Sequence, residues 1–450
     1  MRLTDSRDIE ITTQSRRSAE RYDRAIDLLA SYFTDPLAEI EAALAEDPDF
    51  VSGHCMRAAL GVLGAERATE PIIRGSLEAG ARLAPRATER ERRHFAAARA
   101  WLEGDFHRAI DLYGSIVIDH PRDLLALQVA HVGDFYLGRQ RMLRDRVAQV
   151  LPQWQGGTPG FGYVLGMLAF GLEETNTFEM AEAMGRRALA LNRRDVWAIH
   201  AVAHVYEMTG QIDEGADWLE ARTDDWSTNN AFSYHNFWHW ALFQLERGDV
   251  RRVLELFDRN VWPKPSSVAL EMLDAASLLF RLHLRGIDVG RRATSVADAW
   301  SDASYHGYYA FNDAHAAMAF VVDGRLADVR RVLHTLERRA AEDDSNAAMT
   351  RDVGLPFVRA LLAFAEERHA DVVSTLLPLR LSAHQFGGSN AQRDVIDQLL
   401  AEAALRSGQK MLVRALIGER RLLRPASPFA QALEVRLAEN PDGAPHSTAA

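Results

Sequence analysis

WLEGDFHRAIDLYGSIVIDHP, residues 101–121, reads as the end of one helix, a tight turn and a second helix. Gly104 breaks the run, Phe106, Ala109 and Tyr113 follow at helical spacing, and Pro121 closes the unit. A glycine at that point takes the left-handed conformation that ends a helix cheaply. Small residues after the turn let two helices approach, and large ones fill the gap to the next pair. The pattern recurs. Further turns fall at Gly138, Thr175-Asn176, Gly210, Gly248, Gly286, Gly324, Arg368 and Gly408, mostly 34 to 38 residues apart, with a longer step near the C-terminal end. Phe178, Ala181 and Ala188 follow Asn176; Ile212 and Gly215 follow Gly210; Val253 and Phe257 follow Gly248. Self-similarity at such a period marks an array of helix pairs.

The units resemble the tetratricopeptide repeat, with most of its tryptophan-leucine-glycine signature missing and a spacing nearer 38 than 34. β signals are sparse, with no Asn-Gly or Asp-Gly hairpin between alternating apolar runs. The expected fold is all-α, a right-handed superhelix of tetratricopeptide-like helix-turn-helix repeats over residues 18–436. Residues 1–17 read as an N-terminal extension. Residues 437–450, ending NPDGAPHSTAA, read as a disordered tail for want of apolar periodicity.

Five strings carry a closer resemblance: HAVAHVYEM (200–208), YHNFWHWAL (234–242), FNDAHAAMA (311–319), RDVGLP (351–356) and GGSNAQRDV (387–395). In this order they resemble the tetratricopeptide repeat protein 38 family, over roughly residues 21–425. The resemblance implies an all-helical superhelix of degenerate repeats and brings no activity with it.

Composition narrows the partners. A net charge of -11 across 450 residues argues against nucleic acid, where binding rests on a basic surface, and against anionic membranes. Lys264 and Lys410 are the only lysines, so the lysine clamps of acidic-peptide readers are missing and a neutral or basic guest fits better. The single cysteine, Cys55, forms no internal disulfide. The N-terminus lacks the apolar run of a signal peptide, and a cytoplasmic protein is expected.

Two histidine pairs stand out. His200/His204 and His235/His239 each lie four apart, so each pair shares a helix face, and Glu207 falls one turn beyond the first. With Gly210 at position fifteen of its repeat, His200, His204 and Glu207 take positions five, nine and twelve of a first helix. His235 takes position two of the next. In tetratricopeptide repeats such positions line the concave groove, an expectation by analogy of fold. His239 and His315 take position six, nearer the helix seam. Tyr234 and Trp238 share a face with the second histidine pair, inside an aromatic run that includes Trp226, Phe232, Phe237 and Trp240. Such stripes are core more often than binding walls.

Three readings follow. In the first, a concave groove lined by His200, His204, Glu207, Tyr234, His235, Trp238, His239 and His315 holds a peptide segment or small ligand. In the second, His200, His204, His235 and His239 bind zinc or manganese in a metal-dependent hydrolase, with Glu207, His204 and Asp313 as candidate catalytic groups. In the third, the histidines only satisfy hydrogen bonds in helix seams. The zinc-hydrolase string with Glu directly after the first His is absent. Gly387 to Asp394 reads as a capping box, Ser389 with Gln392, rather than a phosphate loop. Arg393-Asp394 and Arg351-Asp352 fit either groove or salt-bridge roles. Cys55 beside His54 reads as a small buried hydrophobe.

Overall fold

The computed structural model describes residues 3–439. Apart from a two-residue antiparallel pair, β1 (Leu3–Thr4) with β2 (Glu10–Ile11), it is helical. Helices come as consecutive pairs: α1 (Arg16–Ser31) with α2 (Pro36–Glu46), α3 (Val51–Gly64) with α4 (Glu70–Leu83), α5 (Glu89–Leu102) with α6 (Phe106–Asp119), α7 (Leu124–Tyr136) with α8 (Gln140–Val150), and α9 (Phe161–Glu174) with α10 (Phe178–Leu191). Then follow α11 (Val196–Thr209) with α12 (Ile212–Ala221), the single turn α13 (Thr223–Trp226), α14 (Ser233–Arg247) with α15 (Val250–Leu256), α16 (Ala269–Leu284) with α17 (Arg292–Ala299), and α18 (Ala310–Val322) with α19 (Leu326–Arg339). The short α20 (Ser345–Met349) leads into α21 (Leu355–Ala365) with α22 (His369–Leu379), α23 (Asn390–Arg406) with α24 (Lys410–Leu423), and α25 (Pro428–Glu439). This is the tetratricopeptide-like array the spacing predicts. α25 runs three residues past the expected end of the array, and the rest of the expected tail lies outside the described residues.

The turns form as the sequence implies. Gly104 (φ 86°) ends α5 in a double bond, its N–H to the Trp101 carbonyl at 3.0 Å and the Asp105 N–H to Ala100 at 2.9 Å. Asn176 and Glu367, both at φ 60°, do the same work without glycine. The second of these stands one residue before Arg368, the expected turn. Close approach explains other glycines: a Cβ on Gly171 would sit 2.5 Å from the α8 backbone, and one on Gly215 2.3 Å from the Phe243 ring.

First and second helices differ in burial. α9 and α18 are buried almost all round. α10 buries only Ala181, Gly185, Ala188 and Leu189, and α19 only Asp328, Val329, Val332 and Leu336. Those sets follow the three-four spacing of a single face. In both of these pairs the first helix is interior and the second has a wet side.

The described residues divide into two compact units: 3–202 with 223–233, and 203–222 with 234–439. In the first unit the N-terminal segment is tied down rather than free. The buried Glu91 carboxylate accepts from the Thr12 N–H (3.1 Å) and hydroxyl (2.7 Å), and Arg90 donates to the Glu10 carbonyl (2.9 Å). In the second unit the last helices fold back onto the first. Arg281 of α16 donates to the Ala391 and Gln392 carbonyls (2.9 and 3.2 Å) at the start of α23. A Cβ on Gly210 would lie 3.2 Å from Arg424 Cα, and the Phe429 N–H reaches Glu246 (3.3 Å). Among the described residues, no helix is long and apolar enough to cross a membrane.

Candidate functional site

α11 and α14 are interior helices, so their polar residues need internal partners. The second unit supplies them. His239 Nδ1 lies 2.8 Å from Glu207 Oε2, and His235 Nδ1 lies 2.7 Å from Asp274 Oδ2 on α16. Between the two rings, His239 Nε2 and His235 Nε2 are 3.2 Å apart. The four side chains form one run, carboxylate–imidazole–imidazole–carboxylate. His204 joins it: its ring centroid is 4.5 Å from that of His239, and all three histidines offer ligand nitrogens within 4.8 Å of one another. His204 and His239 are fully buried and His235 nearly so.

The hydrogen bonds dictate the chemistry. Each carboxylate orients an Nδ1–H, which turns both Nε2 lone pairs toward each other. Two lone pairs at 3.2 Å repel unless a proton or a cation lies between them. Burial pushes Glu207 up to about 6, against the nearby Arg424, His204 and Arg281. Burial likewise raises Asp274, opposed by His235. One proton could close the run. So could a metal ion, because carboxylate–histidine–metal is the usual way a protein fixes ligand tautomer and ring orientation.

The aromatic residues form the walls. Trp238, fully buried, stacks on His235 (5.2 Å, 15°) and meets His239 edge-on (4.7 Å). The Arg281 guanidinium lies over the other part of this wall, 5.3 Å from the Trp238 ring centroid. Tyr234 is half-buried, 6.4 Å from the His235 ring. Phe237 stacks on Trp240 (6.1 Å).

Several expectations need correction. The histidines do not line an open groove: the first helices that carry them are buried, and in the second unit α23 covers α16. Glu207 points its carboxylate at His239 Nδ1, an orienting contact, rather than standing clear as a general base. Asp313 holds the loop before α18, accepting from the Gly307 N–H at 3.0 Å with His306 at 3.5 Å. His315 donates from Nδ1 to the Phe311 carbonyl of its own helix (2.8 Å), and burial pulls it down to about 4. His200, one turn before His204 on α11, remains a candidate ligand; it belongs to the first unit, its ring 4.9 to 5.4 Å from Phe232, Trp197 and Phe170. Trp226 is fully buried in that unit as well.

Other readings find their place. Ser389 and Gln392 form the capping box, with bonds of 3.1 and 3.0 Å. Asp394 is an interhelical ion-pair residue, bound by Arg420 (2.7 and 3.1 Å) and Arg424 (3.3 Å). Arg351 and Asp352 pair with each other at 3.3 Å on the surface. Cys55 is buried, which pushes its thiol well up. Asp274 and Arg281 escaped the sequence reading. Their signal is two charged residues seven apart in the apolar run ALEMLDAASLLFRLHL, hence on one face of α16.

No family model matches the chain. Among solved structures, a human IFIT1 dimer with PPP-AAAA aligns at 14% identity and a TM-score of 0.43, covering 94% of this chain and 95% of that one. The same human protein with m7Gppp-AAAA aligns at 12% and 0.43, over 96% of each. The P58(IPK) TPR domain aligns at 16% and 0.20, over 88% of this chain and 99% of that one. At these scores the alignments carry no argument about ligands.

Proposed function

We propose that this helical-repeat protein is built around a divalent-metal centre held by the Nε2 atoms of His235 and His239 and a ring nitrogen of His204. The observation that carries the reading is the pair of Nε2 atoms turned toward each other at 3.2 Å while Glu207 and Asp274 hold the opposite nitrogens. Tetrahedral ligands about 2.0–2.1 Å from zinc lie roughly 3.3 Å apart, so this spacing suits the ion. Imidazole ligands favour zinc over manganese. Three protein ligands leave a position for water, which zinc brings to a pKa of about 7. That makes a metal-dependent hydrolase the enzymatic form of the proposal, with Glu207 and Asp274 as positioning residues.

The alternative is a scaffold that grips a peptide segment or small ligand through the same residues. Their burial weighs against it. Kinship with the tetratricopeptide repeat protein 38 family, on the five strings quoted above, and a cytoplasmic setting fit either reading. A net charge of -11 still weighs against an RNA partner of the kind shown with IFIT1.

Elemental mass spectrometry on untagged protein tests the proposal. The expected result is about one zinc per chain, lost in His235→Ala and in His239→Ala with helicity retained. Wild-type protein that carries no metal and takes up neither zinc nor manganese would overturn it.

A further inference from the structure

A second site lies in the same unit, between α23, α24 and α25. It is a cleft of about 380 Å³ with two kinds of wall. One wall is apolar: Ile396, Leu416, Ile417 and Leu433. The other is charged: Arg420 and Arg424 share Asp394, while Arg380 takes Asp397 (2.8 Å) and Glu419 (2.7 Å). With Arg393 also on this wall, four guanidinium groups face three carboxylates, and Asp394 serves both Arg420 and Arg424. Asp394 is held well below the usual carboxylate range by Arg420 and Arg424 despite its burial.

Arg424 is the under-served partner. Its side chain is nine-tenths buried, its Nη1 stands 3.3 Å from Asp394, and its Nη2 meets the thioether of Met208 at 2.8 Å. Both Arg424 and Met208 line the cleft. Thioether sulfur is a weak acceptor, a poor match for a charged donor taken out of water. An anionic oxygen at that place would answer the spare charge and the spare N–H together. The apolar wall beside it would take a hydrocarbon chain.

We propose that this cleft binds an amphipathic organic acid, a carboxylate head at Arg424 with an alkyl tail along Ile396, Leu416, Ile417 and Leu433. This cleft is inferred independently of the metal centre, although Arg424 also lies near Glu207. Calorimetry with octanoate, octyl phosphate and octylammonium tests it on wild-type protein, Arg424→Gln and Leu433→Trp. Octanoate should bind wild type and lose roughly tenfold or more in Arg424→Gln, the scale of a charge-assisted hydrogen bond. Leu433→Trp, which fills the tail end and leaves every charge in place, should lose binding and keep its metal content and melting temperature. Octylammonium should not bind. The proposal is overturned if octanoate does not bind, if either variant binds it as wild type does, or if octylammonium matches it. Tighter binding of octyl phosphate would overturn the carboxylate assignment.

Discussion

Each unit buries a histidine against a carboxylate, and the two arrangements do different things. In the first unit Asp123 takes Arg90 at 2.6 Å and His94 Nε2 at 2.9 Å, while its other oxygen caps α7 through the Ala126 N–H (2.9 Å). Burial opposes ionisation there, yet His94 and Arg90 hold the Asp123 carboxyl far below its ordinary range. Arginine supplies the balancing charge permanently, so the cluster is a lock with no place for another cation. In the second unit Glu207 and Asp274 bind imidazoles instead, and the charge between the two rings is left to a proton or a metal. The lesson is that a buried His–carboxylate pair is structural when a guanidinium bonds the carboxylate directly, as Arg90 bonds Asp123. It is a candidate ligand cradle when guanidinium groups only lie nearby, as Arg281 and Arg424 do to Glu207.

The largest expected effect breaks the lock. Arg90→Ala leaves Asp123 buried without its cation and removes the bond to the Glu10 carbonyl, so it should cost about 3–5 kcal/mol in urea or thermal unfolding. Metal content per folded chain should stay unchanged. Loss of metal in Arg90→Ala would show that the two clusters are not separate in function.

The cradle should respond in the opposite way. Asp274→Asn keeps the shape beside His235 Nδ1 but no longer enforces its tautomer, and removal of such an orienting partner typically weakens metal binding 10–100-fold. A zinc competition titration reads this directly. Chelation should lower the melting temperature of wild type more than that of Asp274→Asn, since a tighter ligand stabilises more. Equal zinc affinity in the two proteins would return the carboxylates to simple hydrogen bonding.

How much of this was legible beforehand follows from which contacts are periodic. Turn glycines and helix pairs repeat along the chain, so Gly104, Gly138 and Gly210 announce the array. The two histidine pairs are equally readable, because four-residue spacing places both rings on one face. What spacing could not show is the return of α23 onto α16. The bond from Arg281 to Ala391 joins residues 110 apart and leaves no periodic trace. That return covers α16, whose Asp274 holds His235. It is why the histidines were assigned to an open surface and are found in the interior. Asp274 is a different case: at 39 residues from His235 it lies about one repeat on, so its adjacency is legible and only its pairing with His235 is not.

A third prediction compares two aspartates at matching positions. Asp123 and Asp195 each accept a helix-start N–H, from Ala126 and Ala198 respectively, but Asp195 is served by backbone groups where Asp123 has Arg90. Burial outweighs those backbone donors and pushes Asp195 up to about 7. Between the unfolded value near 3.9 and about 7 the folded chain therefore holds more protons than the unfolded one. Stability from this group is intact below pH 4 and falls as pH rises toward 7. Asp195→Asn keeps an acceptor for the cap and removes the titration, so at pH 8 it should gain on the order of 1–2 kcal/mol over wild type, with little difference at pH 4. Urea unfolding at the two pH values measures it, and a gain of equal size at both would refute the titration.

The smallest effect separates the two capping boxes. Thr88 with Glu91 starts α5, and Ser389 with Gln392 starts α23. Glu91 also accepts from Thr12 and Ser52, so its box is part of the anchor for the N-terminal segment. The Ser389 box has a narrower reach: it orders the turn whose Ala391 and Gln392 carbonyls receive Arg281, the cation lying over Trp238 behind His235. Ser389→Ala should therefore cost about 1 kcal/mol, the ordinary value of a lost cap. Its effect on zinc affinity should be less than twofold, because the first-contact nitrogens and their two carboxylates are untouched. A zinc loss as large as that of Asp274→Asn would mean that the start of α23, through Arg281, positions the cradle as strongly as the carboxylates do.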